Sequence, residues 1–140
     1  MKTFVQIGLV FLLAALTTSA CVTPIAAPKP IKIPCTRLTK KEFIEKASQL
    51  LRANNYVVVE ANEETGEVEG NRVPVYVGIG EHIIVSGPYI FDAVYDGTTI
   101  TVNIQTVSEG RPVKSHDENS SVYDKRNFMP VLNGLRELCK

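Results

Sequence analysis

Few side chains in this 140-residue chain carry reactive chemistry: three cysteines (Cys21, Cys35 and Cys139), two histidines (His82 and His116) and scattered carboxylates. Each histidine has an acid beside it, Glu81 or Asp117, and imidazole with carboxylate is the donor set of a metal centre or an acid–base pair. Metal spacing such as HExxH is absent, and the two histidines are far apart in the chain. Ser115-His116-Asp117 contains the residue types of a nucleophilic triad, but as sequence neighbours they have no reason to converge as one. Gly78-Ile79-Gly80 starts like a dinucleotide loop yet lacks the third glycine and a following helix. Glu63, Glu64, Glu67 and Glu69 gather around one turn, which reads as a solvated tip or a contact for a basic partner. No catalytic residue, metal ligand set or cofactor is assigned on these grounds.

Cys21 has the most informative surroundings. Met1-Lys2-Thr3 precede an apolar run from Phe4 to Leu16 interrupted only by Gln6, and the small residues Thr17-Thr18-Ser19-Ala20 follow. These are the charged, apolar and cleavage regions of a secretory signal. The apolar run falls short of the roughly 20 residues a helix needs to span a bilayer, so residues 1–20 read as a cleaved leader.

Thr18-Ser19-Ala20-Cys21 resembles the lipobox of bacterial lipoproteins. The resemblance implies that the Cys21 thiol is acylated and the chain cut before it. Thr18 stands where the family usually has leucine. An aspartate after the cysteine tends to retain such proteins in the inner membrane, and Val22 occupies that place here, so the resemblance implies the outer membrane, periplasmic face. Two or three acyl chains at about 0.8 kcal/mol per buried CH₂ make a stable anchor. Membrane lipid, held through Cys21, is thus the first expected partner.

With Cys21 acylated, Cys35 and Cys139 remain, and an oxidising compartment favours joining them. Neither has the close spacing or activating neighbour of a redox or catalytic thiol. Between Cys21 and Cys35, residues 21–34 carry Pro24, Pro28, Pro30 and Pro34, whose fixed φ favours an extended spacer. Residues 35–140 then form one domain. Hydrophobic content of 44% and charged content of 21% are ordinary for a globular chain. Acidic and basic residues balance at 15 each, and without Lys2 the mature net charge is near −1, so nucleic acid is not an expected partner.

The elements that must position these residues follow from periodicity. Thr39-Lys40-Lys41-Glu42 has the form of a capping box, and Phe43, Ile44, Ala47, Leu50 and Leu51 make one apolar stripe up to Asn54-Asn55. Tyr56 to Ala61 and a run from Glu67 read as a hairpin across Asn62–Gly66, with a bulge near Gly70-Asn71 to reconcile the parity of Val68 with Val73, Val75, Val77 and Ile79. Pro74 argues for an edge or a break. Tyr89 to Val107 is the clearest hairpin: Asp96-Gly97 suits a two-residue turn, pairing Phe91 with Val102, Ala93 with Ile100 and Tyr89 with Ile104. Ser108 to Ser121 is polar and reads as a mobile or binding loop. Phe128, Val131, Leu132, Leu135 and Leu138 mark a last helix, in which Pro130 fits near a start at Asn127 but would kink a helix begun at Ser121.

The expected fold is α+β, a two-layer sandwich of helix, four or five antiparallel strands and helix, with the helices on one face. Leu50 to Arg72 resembles the opening of helix-grip and related domains of outer-membrane lipoproteins, including a subunit of the β-barrel assembly machinery. That resemblance implies a binding or assembly module that engages an envelope protein or peptidoglycan, and it carries over no functional residue. The expected function is non-catalytic; the alternative is a small periplasmic hydrolase or hydrolase inhibitor using the Ser108–Ser121 loop.

Overall fold

The computed structural model describes residues 29–72, 76–79, 82–85 and 88–140. Cys21, the leader and most of the spacer lie outside them, as does Pro74. In chain order the elements are β1 (Ile31–Pro34), α1 (Lys40–Ala53), β2 (Tyr56–Asn62), β3 (Glu67–Arg72), β4 (Tyr76–Ile79), β5 (His82–Val85), β6 (Tyr89–Tyr95), β7 (Thr99–Ser108), β8 (Arg111–His116) and α2 (Val122–Leu138). Six strands form an antiparallel sheet in the order β1-β7-β6-β3-β2, with β8 also on β7, and β4 pairs with β5. The fold is α+β.

Alternation decides which face is core. Tyr89, Phe91, Ala93 and Tyr95 of β6 and Ile100, Val102 and Ile104 of β7 are buried together with Phe43, Ala47 and Leu51 of α1 and Phe128, Val131, Leu132 and Leu135 of α2. The capping box at the start of α1 is present: Thr39 Oγ1 accepts from the Glu42 N–H at 3.2 Å, and Glu42 Oε2 accepts from the Thr39 N–H at 2.8 Å. In α2 the cap is Ser121, whose hydroxyl accepts from the Asp124 N–H at 3.2 Å, so the helix starts well before Asn127. Pro130 sits inside it on the exposed side. Its ring leaves the Arg126 carbonyl unserved. The next carbonyl, Asn127, accepts from the Tyr56 hydroxyl at 3.0 Å and Arg72 Nη1 at 2.8 Å, which fastens this turn of the helix to the sheet.

More strands form than the pattern suggests. Ile31–Pro34, assigned to the spacer by its prolines, is β1: Ile33 is buried opposite Ile100, and Ile31 packs opposite Val102. An edge strand tolerates proline, because the missing donor faces away from the ladder. Arg111–His116 is likewise not a loop but β8, lying beyond β1 along the same edge of β7. The turn between β7 and β8 places Glu109 at φ 51° and Gly110 at φ 74°. Both central residues of that tight turn are left-handed, a conformation glutamate rarely signals.

Two register expectations also shift. The β6–β7 turn is centred on Gly97-Thr98, with Gly97 at φ 103° and Asp96 Oδ1 accepting from the Thr98 and Thr99 N–H groups at 2.7 and 2.8 Å. Phe91 therefore pairs with Ile104, Ala93 with Val102 and Tyr89 with Thr106. The slip is two residues, so every side chain keeps its expected face. The bulge lies in β2 between Val58 and Glu60, not at Gly70. Gly70 stays in register because α1 lies directly on it: a Cβ there would sit 3.0 Å from Leu51 Cδ2.

Candidate functional site

The expected cysteine pair is joined. Cys35 and Cys139 form a disulfide with their Cα atoms 4.8 Å apart. Cys35 is carried from β1 onto the β6–β7 turn, its N–H donating to the Thr98 carbonyl at 2.8 Å, and Cys139 caps α2. Under this joint the buried Tyr95 hydroxyl lies 2.8–3.0 Å from the carbonyls of Leu38, Gly97 and Cys35. One proton serves three acceptors, so the phenol acts as a hub for the end of the domain.

His116 is not on a loop. Its pairing with Ile104 turns the imidazole into the core, where it is 2% exposed between the rings of Tyr89 and Phe128, at 5.2 and 6.0 Å. Thr106 Oγ1 is hydrogen-bonded to His116 Nε2. The acid beside the ring is Asp124 from the first turn of α2, with Oδ2 3.7 Å from Nδ1. Asp117, the sequence neighbour, instead accepts from the Asn119 N–H. Ser115 pairs with Gln105 on the opposite face, so Ser115-His116-Asp117 form no constellation.

Asp124 is the centre of this cluster. Oδ1 accepts from the Tyr89 hydroxyl at 2.7 Å, and Oδ2 accepts from Lys114 Nζ at 2.8 Å and Ser121 Oγ at 2.9 Å. Burial pushes its carboxyl up, but these three donors and the nearby His116 outweigh burial and hold it at about 2. Burial, reinforced by the Asp124 charge, pushes the Tyr89 phenol up. Burial also lowers His116, with Lys114 acting in the same sense and Asp124 opposing. The ring is thus neutral at pH 7, and 3.7 Å is too long for Nδ1 to bond to the carboxylate. Hydroxyl, imidazole and carboxylate stand in the order of a triad, but the imidazole is sealed from solvent and its link to the acid is open. What the cluster does physically is join β6, β7, β8 and α2.

The other face of the sheet carries a second grouping. Cross-strand register places Glu60 of β2 beside Glu69 of β3, Glu69 beside Asp92 of β6, and Asp92 beside Asn103 of β7. Burial, then the neighbouring charges of Asp92, Glu60 and Glu67, raises Glu69; burial and Glu60 raise Asp92 against the Asn103 hydrogen bond. Among the described residues none of these three carboxylates is in an ion pair. The acidic cluster read at the Asn62–Gly66 turn is therefore split. Glu69 faces this row with Asp92, which sequence could not place because β3 and β6 pair across an intervening hairpin. At the turn itself the Glu64 carbonyl accepts from Lys40 Nζ at 2.9 Å. At the row's end β2 is, among the described residues, an edge strand whose Val57 and Val59 are 59% and 52% exposed.

His82 lies in β5, apart in sequence from the His116 cluster. Among the described residues no three His, Cys, Asp or Glu side chains gather as metal ligands, and no helix is long and apolar enough to cross a membrane. No protein-family model and no curated protein matches the chain.

Proposed function

We propose that the chain is an outer-membrane lipoprotein, anchored by acylated Cys21, whose α+β domain works at the periplasmic face as a non-catalytic binding or assembly module for an envelope component. The observation that carries this reading is the Cys35–Cys139 bridge. A disulfide of this kind persists in an exported, oxidising environment, and it leaves Cys21, directly after the signal-like leader, as the one cysteine outside the pair. β1 begins at Ile31, so the spacer expected from the sequence shortens to nine residues, 22–30, for which an extended chain at about 3.1 Å per residue would set an upper reach of about 28 Å. The hydrolase or inhibitor alternative has less support, because Arg111–His116 is a strand and His116 is enclosed.

Intact-mass measurement of the protein extracted from membranes tests the anchor. The expected species lacks residues 1–20, carries acyl chains on Cys21 and is two hydrogen atoms lighter for the bridge. Cys21→Ser should release the protein into the soluble fraction. A retained leader, or an unacylated Cys21 at the mature N-terminus, would overturn the reading.

A further inference from the structure

We propose that the free edge of β2, with the carboxylate row beside it, takes an extended, basic segment of a partner protein, added to the sheet as a further strand. This rests on the binding-module reading and names the chemistry of its partner. Among the described residues β2 ends the sheet, so its outward N–H and C=O groups, on either side of the bulge between Val58 and Glu60, form a template for another strand. Tyr56-Val57-Val58-Val59 is strongly β-forming, and two of its three valines are more than half exposed, where an edge ordinarily carries charge.

Charge sets the occupant. Glu60, Glu69 and Asp92 stand side by side on consecutive strands, a like-charge arrangement that costs stability in the free protein. A strand laid on β2 places one side chain next to Val57 and others next to Glu60 and Asn62, since these share the outer face. An apolar residue fits the first place. Lysine or arginine fits the second, its stem running over Glu60 toward Glu69 one strand spacing, about 4.8 Å, further on. A second copy of this chain is disfavoured, because its own edge would bring Glu60 and Glu69 against the same residues. Anionic lipid is repelled for the same reason, and acids arrayed in a line at strand spacing do not converge on a metal ion.

The probe is a fluorescent ten-residue peptide of alternating valine and lysine, with a valine–glutamate peptide as control, titrated against the mature, disulfide-bonded protein by anisotropy. The lysine peptide is expected to bind, with slowed hydrogen exchange at the β2 amides, while the glutamate peptide does not. In the double variant Glu60→Gln, Glu69→Gln, binding should weaken about tenfold, the scale of two exposed ion pairs. Val59→Lys should weaken it further without changing the circular dichroism spectrum. Equal binding of both peptides, unchanged affinity in the double variant, or binding without β2 protection would each overturn the proposal. Self-association abolished by Val59→Lys would overturn it in favour of a second copy. Acylated Cys21 without peptide binding sinks this inference alone; peptide binding without acylation sinks only the anchor.

Discussion

The Tyr89 hydroxyl donates to Asp124 Oδ1 at 2.7 Å, tying the start of β6 to the first turn of α2. Tyr89→Phe keeps the ring in the core and removes only this donor to a charged, mostly buried acceptor. The expected loss is about 1.5–3 kcal/mol at pH 7, read from urea midpoints. The difference should shrink near pH 2, where Asp124 takes up a proton.

His116 and Asp124 together set the acid limb of stability. Burial lowers the folded His116 from its ordinary 6.5, so the unfolded chain binds the proton more readily. Stability is then full above about pH 7 and falls as pH drops through 6.5 toward the folded value. Asp124, held at about 2, adds a second decline from about pH 4 downward. Melting temperatures of His116→Gln should be flat between pH 7 and 5 where the parent declines.

On the opposite face the sign reverses. Glu69 and Asp92 are raised in the folded protein, so each disfavours folding once pH exceeds its ordinary range. Asp92→Asn and Glu69→Gln should each stabilise by about 0.5 kcal/mol at pH 7, and the gain should vanish below pH 4 in guanidinium titrations.

Two turn glycines should separate sharply. Gly66 has φ 76°, and an added Cβ would lie 2.3 Å from the Tyr95 carbonyl oxygen; Gly97 has φ 103° with open space around it. Gly97→Ala should cost about 1 kcal/mol of backbone strain, and Gly66→Ala at least about 2, because a rigid backbone atom must also move. Thermal unfolding of the two variants side by side measures the difference.

Replacing Cys35 and Cys139 together by serine opens a loop with a sequence separation of 104. The chain-entropy model puts the loss near 4.7 kcal/mol, with about 2 as a lower figure from measured cases. The circular dichroism spectrum below the transition should be unchanged, since both residues are held by their neighbours.

Where residues declare their own conformation, the fold is legible in the sequence. Thr39 and Glu42 cap α1, and the alternation from Tyr89 to Ile104 puts the right side chains in the core even though Gly97-Thr98 rather than Asp96-Gly97 takes the turn. β1 and β8 are different. Ile-Lys-Ile is too short and too closely flanked by Pro30 and Pro34 to declare a strand, Arg-Pro-Val-Lys-Ser-His carries little strand preference of its own, and both are paired by β7. The same non-local pairing hid the sites. His116 meets Asp124 only once β8 and α2 are placed, and Glu69 meets Asp92 only once β3 and β6 are neighbours. Sequence adjacency pointed to Asp117 and Glu67 instead.

The bridge at the foot of the domain also decides how the molecule answers a mechanical load. Tension arriving from the residues before Ile31 can peel β1 from β7, but it reaches Cys35 after four strand residues and is passed there to the end of α2. Everything between the two cysteines is a closed ring that adds almost no contour length when pulled from that side. A load applied between the residues before Ile31 and Lys140 would therefore detach one short strand, while the strands inside the ring stay folded.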